Sequence, residues 1–95
     1  MGGSVRILRP YDDYNAALAF MSADYNHSAL DVLGRLDAKD PKVCYLMAMV
    51  LVRLEQYAEA RKYFELCLAY DPYMRHRANL DPEMYVLVND DGNNH

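Results

Sequence analysis

Apolar positions recur along the chain at the three-to-four-residue spacing of amphipathic helices. The pattern is densest between Pro41 and Pro72, where it predicts two antiparallel helices joined by a tight turn at Leu54-Glu55-Gln56. The longest apolar run, Val43 to Val52, reads as a buried first helix. Asp40 stands where an N-cap is needed, and Pro41 falls at the first helical position, whose N–H has no helical partner in any case. Pro72 disfavours the helical conformation at Asp71 and so ends the second helix. Ala48 and Ala60 would let the two backbones approach closely, and Phe64 would fill the space beside them.

A weaker copy of the pattern precedes this one. Tyr14, Ala17, Leu18 and Met21 predict a helix from about Asp13 to Ala23, capped by Asp12 or Asp13. Ala29, Leu30, Leu33 and Leu36 predict a second from about Asn26 to Leu36. Ala17 aligns with Ala48, Phe20 with Leu51, Ala29 with Ala60, Leu33 with Phe64 and Pro41 with Pro72, a constant offset of 31 residues. The turn of the first copy is expected to be one residue out of step, because Tyr25 does not fall on Tyr57 at that offset.

After Pro72, Tyr73-Met74-Arg75-His76-Arg77 reads as a basic loop. Asp81, Pro82 and Glu83 are the cap, first residue and dipole-favoured acid of a short helix over about 82–88, with Met84, Tyr85, Leu87 and Val88 on its apolar side. Such a helix would cover the end of a stack of hairpins, which otherwise exposes apolar surface. Upstream, Met1-Gly2-Gly3-Ser4 looks like an expression scar, and Val5, Ile7 and Leu8 suit an extended lead-in over 1–9. Residues 89–95 carry no apolar side chain and are expected to be disordered. The expected fold is therefore all-α. One domain over 10–88 holds two antiparallel helix hairpins, about 12–37 and 41–71, and a C-terminal capping helix.

Cys44, Met47, Ala48 and Leu51, followed by Ala60, Phe64 and Pro72, stand where a tetratricopeptide repeat carries Trp, Leu, Gly and Tyr, then Ala, Phe and Pro. The stretch resembles one such repeat. The resemblance implies a right-handed superhelix whose first helices line a concave groove for a protein or peptide. On that face stand Tyr11, Tyr14, Leu18 and Met21 from the first copy and Lys42, Tyr45, Met49, Val52 and Arg53 from the second, a mix of Tyr, Met and Arg typical of interface cores. Tyr14, Leu18, Met21, Tyr45, Met49 and Arg53 are the candidate partner groove. The alternative is that these side chains simply pack against the terminal helix or a neighbouring domain. More narrowly, the stretch from Tyr14 to Leu33, the hairpin and the segment His76 to Val88 are together similar to the C-terminal helical module of Bacteroides-type cell-envelope proteins that carry an OmpA-like segment upstream. Asn79-Leu80-Asp81-Pro82-Glu83 is the most specific piece. That resemblance implies a periplasmic or outer-membrane-associated parent protein and supplies no catalytic residue.

Composition narrows the function further. A net charge of −4 argues against a nucleic-acid surface, which is normally basic. The run Val43 to Val52 is about half the roughly 18 apolar residues a membrane span requires. His27, His76 and His95 lack the i, i+4 spacing of a helical metal pair, and the four glycines form no phosphate-cradling loop. No enzyme, metal or cofactor is expected. Cys44 and Cys67 both point into the hairpin at similar height. They are either a disulfide or two small buried hydrophobes. The chain then reads as a non-catalytic protein–protein interaction or scaffold module. The alternative is a structural cap or a self-association domain forming a homodimer.

Overall fold

A computed structural model of the chain describes residues 10–92, with side chains described from 13 to 89. Every regular element among them is helical: α1 (Pro10–Ser22), α2 (Asn26–Leu33), α3 (Pro41–Arg53), α4 (Tyr57–Tyr70), α5 (Met74–Asn79), a 3₁₀ turn (Pro82–Met84) and α6 (Tyr85–Gly92). The all-α fold expected from the sequence is the fold observed. α1 packs on α2 and α3 on α4 as two hairpins. α2 joins them by packing on α3, and the chain after α4 folds back so that the 3₁₀ turn meets α3 and α6 meets α4. The expected lead-in over 1–9 lies outside the described residues, as do residues 93–95.

Both hairpin turns have the same backbone. Asp24 donates to the Met21 carbonyl at 3.0 Å and Tyr25 to Phe20 at 2.8 Å; Glu55 donates to Val52 at 2.9 Å and Gln56 to Leu51 at 2.8 Å. These are the paired 5→2 and 6→1 bonds of a Schellman motif, with its left-handed residue at Asp24 (φ 66°) and Glu55 (φ 63°). The apolar contact that accompanies the motif is present in the first turn, where the Phe20 and Tyr25 rings lie 6.4 Å apart. The turns therefore superpose at the same 31-residue offset as the helices. The first is not one residue out of step: Tyr25 is the counterpart of Gln56, and Asn26 that of Tyr57.

Three Asp-Pro steps punctuate the chain from residue 40 onward. Asp40, Asp71 and Asp81 are extended, as a residue before proline is biased to be. Each carboxylate accepts the N–H two residues on: Lys42 at 2.9 Å, Tyr73 at 3.1 Å and Glu83 at 3.1 Å. Asp71-Pro72 thus ends α4 and also starts a further helix. Tyr73 to Arg77, expected as a loop, lies at the start of that helix, α5, because Met74 and Ala78 sit four residues apart and are both buried. The next Asp-Pro, at 81–82, stops it after six residues.

The remaining boundaries differ from expectation by a turn or less. α1 starts at Pro10, so Asp12 and Asp13 lie in its first turn rather than at its cap. α2 stops at Leu33, and Arg35 and Leu36 continue only as 3₁₀-type bonds to Val32 and Leu33. α6 runs on to Gly92, so residues 89–92, expected to be disordered, are helical, with the Asn89 side chain donating back to the Tyr85 carbonyl at 3.2 Å.

The buried residues form one cluster. Ala17, Ala29, Ala48 and Ala60 are fully buried. These are the positions at which a bulkier side chain would push paired helices apart. Met84 and Leu87, from the chain after the second hairpin, complete the cluster.

Candidate functional site

Tyr45, Met49 and Arg53 recur every four residues on α3, which places them on one side of the helix. Tyr45 is 1% exposed and Met49 9%. The Tyr45 hydroxyl donates to Asp81 Oδ2 at 2.9 Å, and the Arg77 guanidinium stacks over its ring at 4.8 Å, a favourable cation–π distance. Burial, then the hydrogen bond to Asp81, pushes the phenol well above its usual range. It therefore stays a neutral donor.

Arg53 gathers three parts of the chain. Its Nε and Nη2 donate to the two carboxylate oxygens of Glu83 at 2.9 and 3.0 Å, the planar two-point geometry guanidinium favours. Its Nη1 donates to the Met21 carbonyl at 2.9 Å and to Asn26 Oδ1 at 3.1 Å. One side chain thus joins the end of α1, the start of α2 and the 3₁₀ turn. The hydrogen bonds to Glu83, offset by partial burial, raise its already high pKa, so the charge is permanent.

The side chains expected on one groove therefore lie in three settings. Tyr45 and Arg53 are engaged by residues 77–83. Met21 and Met49 are buried in the core. Tyr14 is half-buried and Leu18 is 38% exposed, so α1 carries the open part of the set. Lys42 is exposed and Val52 half-buried, while the side chain of Tyr11 lies outside the described residues. Asp81 and Glu83, which the sequence suggested only as a cap and a dipole partner, are the main ligands of Tyr45 and Arg53. Part of the signal was available: an arginine at the end of a helix face this apolar needs a carboxylate, but Glu55, Glu59, Glu65 and Asp71 stand between it and the pair at 81 and 83, so the sequence alone does not choose among them.

Cys44 and Cys67 are free thiols, both fully buried. The Cys44 thiol donates to the Ala38 carbonyl at 3.0 Å. Burial, reinforced by Asp40 and Asp37, raises its pKa. Burial, then the neighbouring Cys44 and Asp71, opposed by Arg77, pushes Cys67 up to about 12. Neither is a nucleophile near neutral pH, since the thiolate is the reactive form. Among the described residues no three His, Cys, Asp or Glu side chains gather as a metal ion would require, and no helix is long and apolar enough to cross a membrane.

A family model of the tetratricopeptide repeat matches residues 41–73. That span is α3, its turn, α4 and the Asp71-Pro72-Tyr73 step, about a third of the chain. These residues form a tetratricopeptide-like module. No curated protein and no solved structure gives a significant match.

Proposed function

We propose that the chain is a non-catalytic protein–protein interaction or scaffold module of a larger protein. The observation that carries this is the tetratricopeptide match over α3 and α4, because repeats of this kind stack into surfaces that take up protein partners. The open part of the candidate surface is on α1, at exposed Leu18 and half-buried Tyr14, so contact with a partner begins there. The test is capture of a partner of the full-length protein by this chain and by a Leu18→Asp variant of equal helicity. Capture lost in the variant supports the module; equal capture by both contradicts a binding role for this face.

A second reading, a structural cap or a self-association domain, is favoured by one observation: the chain's own residues 81–84 already engage the α3 side of the surface. A molecular mass that rises with concentration, together with a rising melting temperature, would favour a homodimer; an invariant monomer would count against it. Placement of the parent protein in the periplasm or at the outer membrane is proposed on the sequence resemblance alone. Recovery of the full-length protein only from the cytosol would overturn it.

A further inference from the structure

The faces by which α3 and α4 meet end in a pair of thiols. On α3, Cys44, Ala48 and Leu51 are buried at i, i+4 and i+7; on α4 the buried residues are Ala60, Phe64 and Cys67, at the same spacing. That spacing puts each trio on one side of its helix. α4 packs chiefly on α3, so the two trios face each other. The helices run antiparallel from the turn at Glu55. Cys44 stands eleven residues before it and Cys67 twelve after it, which brings the two level within about one residue's rise, ~1.5 Å. Both belong to the one buried cluster and both are 0% exposed. They are near enough for Cys44 to contribute to the raised pKa of Cys67.

We infer that Cys44 and Cys67 are a disulfide site, closed when the chain folds in the presence of a small disulfide oxidant such as glutathione disulfide and sealed afterwards by burial. In the first step the thiolate of one cysteine, its proton released to solvent, attacks a sulfur of the oxidant. A mixed disulfide forms and one glutathione thiolate leaves. In the second step the other cysteine's thiolate attacks the protein sulfur of that mixed disulfide. The bond between residues 44 and 67 forms and the second glutathione leaves. The protein pair gives up two electrons and two protons, and the oxidant takes them up as two thiols. In the folded chain the same exchange is blocked twice. Burial keeps the reactive thiolate scarce at both sulfurs. The cavity beside Cys44 is about 50 Å³, room for a few waters and none for a molecule the size of glutathione disulfide. The redox conditions at folding are therefore retained. The cross-link ties the start of α3 to the end of α4, at the end of the hairpin opposite its turn. It gives up the Cys44 thiol's bond to the Ala38 carbonyl, where water takes over because Ala38 is exposed.

The experiment unfolds and reduces the full chain in urea and refolds it by dilution into glutathione disulfide or into dithiothreitol. Each product is alkylated, digested and weighed by mass spectrometry, and melted. Refolding with the oxidant is expected to give a helical monomer with no alkylatable thiol, no glutathione adduct and a peptide pair joining Cys44 to Cys67. It should melt about 5–15 °C above the reduced chain. The chain already folded and reduced, given the same oxidant, should lose its thiols at least ten-fold more slowly. Thiols that stay free, stop at glutathione adducts or join separate chains overturn the site. So does a cross-linked chain that melts no higher than the reduced one, since the bond would then be strained. Equal rates for the folded and the unfolded chain overturn the sealing by burial. Cys44→Ala and Cys67→Ala, refolded in the same way, should show no oxidant-dependent rise in melting temperature. A rise of the same size in either would trace the gain to something other than the cross-link and overturn its role.

Discussion

The two hairpins are written on the same frame and end up in different circumstances. Both turn through a Schellman motif with a left-handed acidic residue, and both pair fully buried alanines, Ala17 with Ala29 and Ala48 with Ala60. Yet α2 has eight residues where α4 has fourteen, and α1 leaves Leu18 exposed where α3 buries eight side chains. The second hairpin is covered on both flanks, by α2 on one side and by the 3₁₀ turn and α6 on the other. Among the described residues the first has a neighbour on one flank only. The lesson is that position in the stack, more than local pattern, sets how much of a repeat is buried. A repeat packed on one flank can drift from its consensus because fewer of its positions are held by packing.

The largest effect should come from the aromatic centre of the second hairpin. Phe64→Ala is expected to cost about 3–5 kcal/mol, and Leu33→Ala, at the equivalent place in the first, nearer about 2–3 kcal/mol. Chemical denaturation of both variants measures the difference. A larger loss at Leu33 would invert the comparison. Met84→Ala is next, at about 2–4 kcal/mol. Its loss should appear as faster amide exchange in α3 and α4 with little change in α1, since Met84 covers the second hairpin alone.

Alkaline pH separates the hairpins further. Cys67, in α4, has its folded pKa raised from 9.0 to about 12. A raised folded pKa means the unfolded chain releases the proton first, so stability is intact below about pH 9 and falls as pH rises toward about 12. Tyr45 acts in the same direction, because its phenol is also raised. Melting temperatures between pH 8 and 11 should therefore fall, and less steeply in Cys67→Ala; an unchanged slope would exclude the thiol as a cause. The smallest effect concerns the turns. Glu55→Gly should stabilise by about 0.5–1 kcal/mol, because a left-handed residue with a Cβ is strained. Asp24→Gly should gain less, because Asp tolerates that conformation better. Equal gains at both would mean the turns differ in nothing but sequence.

Most of the architecture was legible because the two halves repeat each other. Asp40-Pro41 and Asp81-Pro82 announced helix starts that the structure contains. Asp71-Pro72 was harder, because the same dipeptide both stops α4 and starts α5, and three basic residues in Tyr73 to Arg77 hid the buried pair Met74 and Ala78. The tail was missed for a related reason: α6 continues past its last apolar residue on hydrogen bonding, including that of the Asn89 side chain to the Tyr85 carbonyl, which composition does not report. The sequence placed Tyr45, Met49 and Arg53 on one face correctly, since helical periodicity fixes that. What lies over the face depends on where the chain returns after α5, a tertiary fact with no local signal beyond an arginine at the end of an apolar helix face.

Residue-resolved native-state hydrogen exchange tests the contrast between the hairpins most directly. The account predicts that amides in the middle of α3, from Ala48 to Leu51, and of α4 exchange only by global unfolding. Those of α1 and α2 should open at distinctly lower free energy. Equal protection of the two hairpins, or stronger protection of the first, would contradict the claim that the second hairpin is the stable centre on which the rest is built.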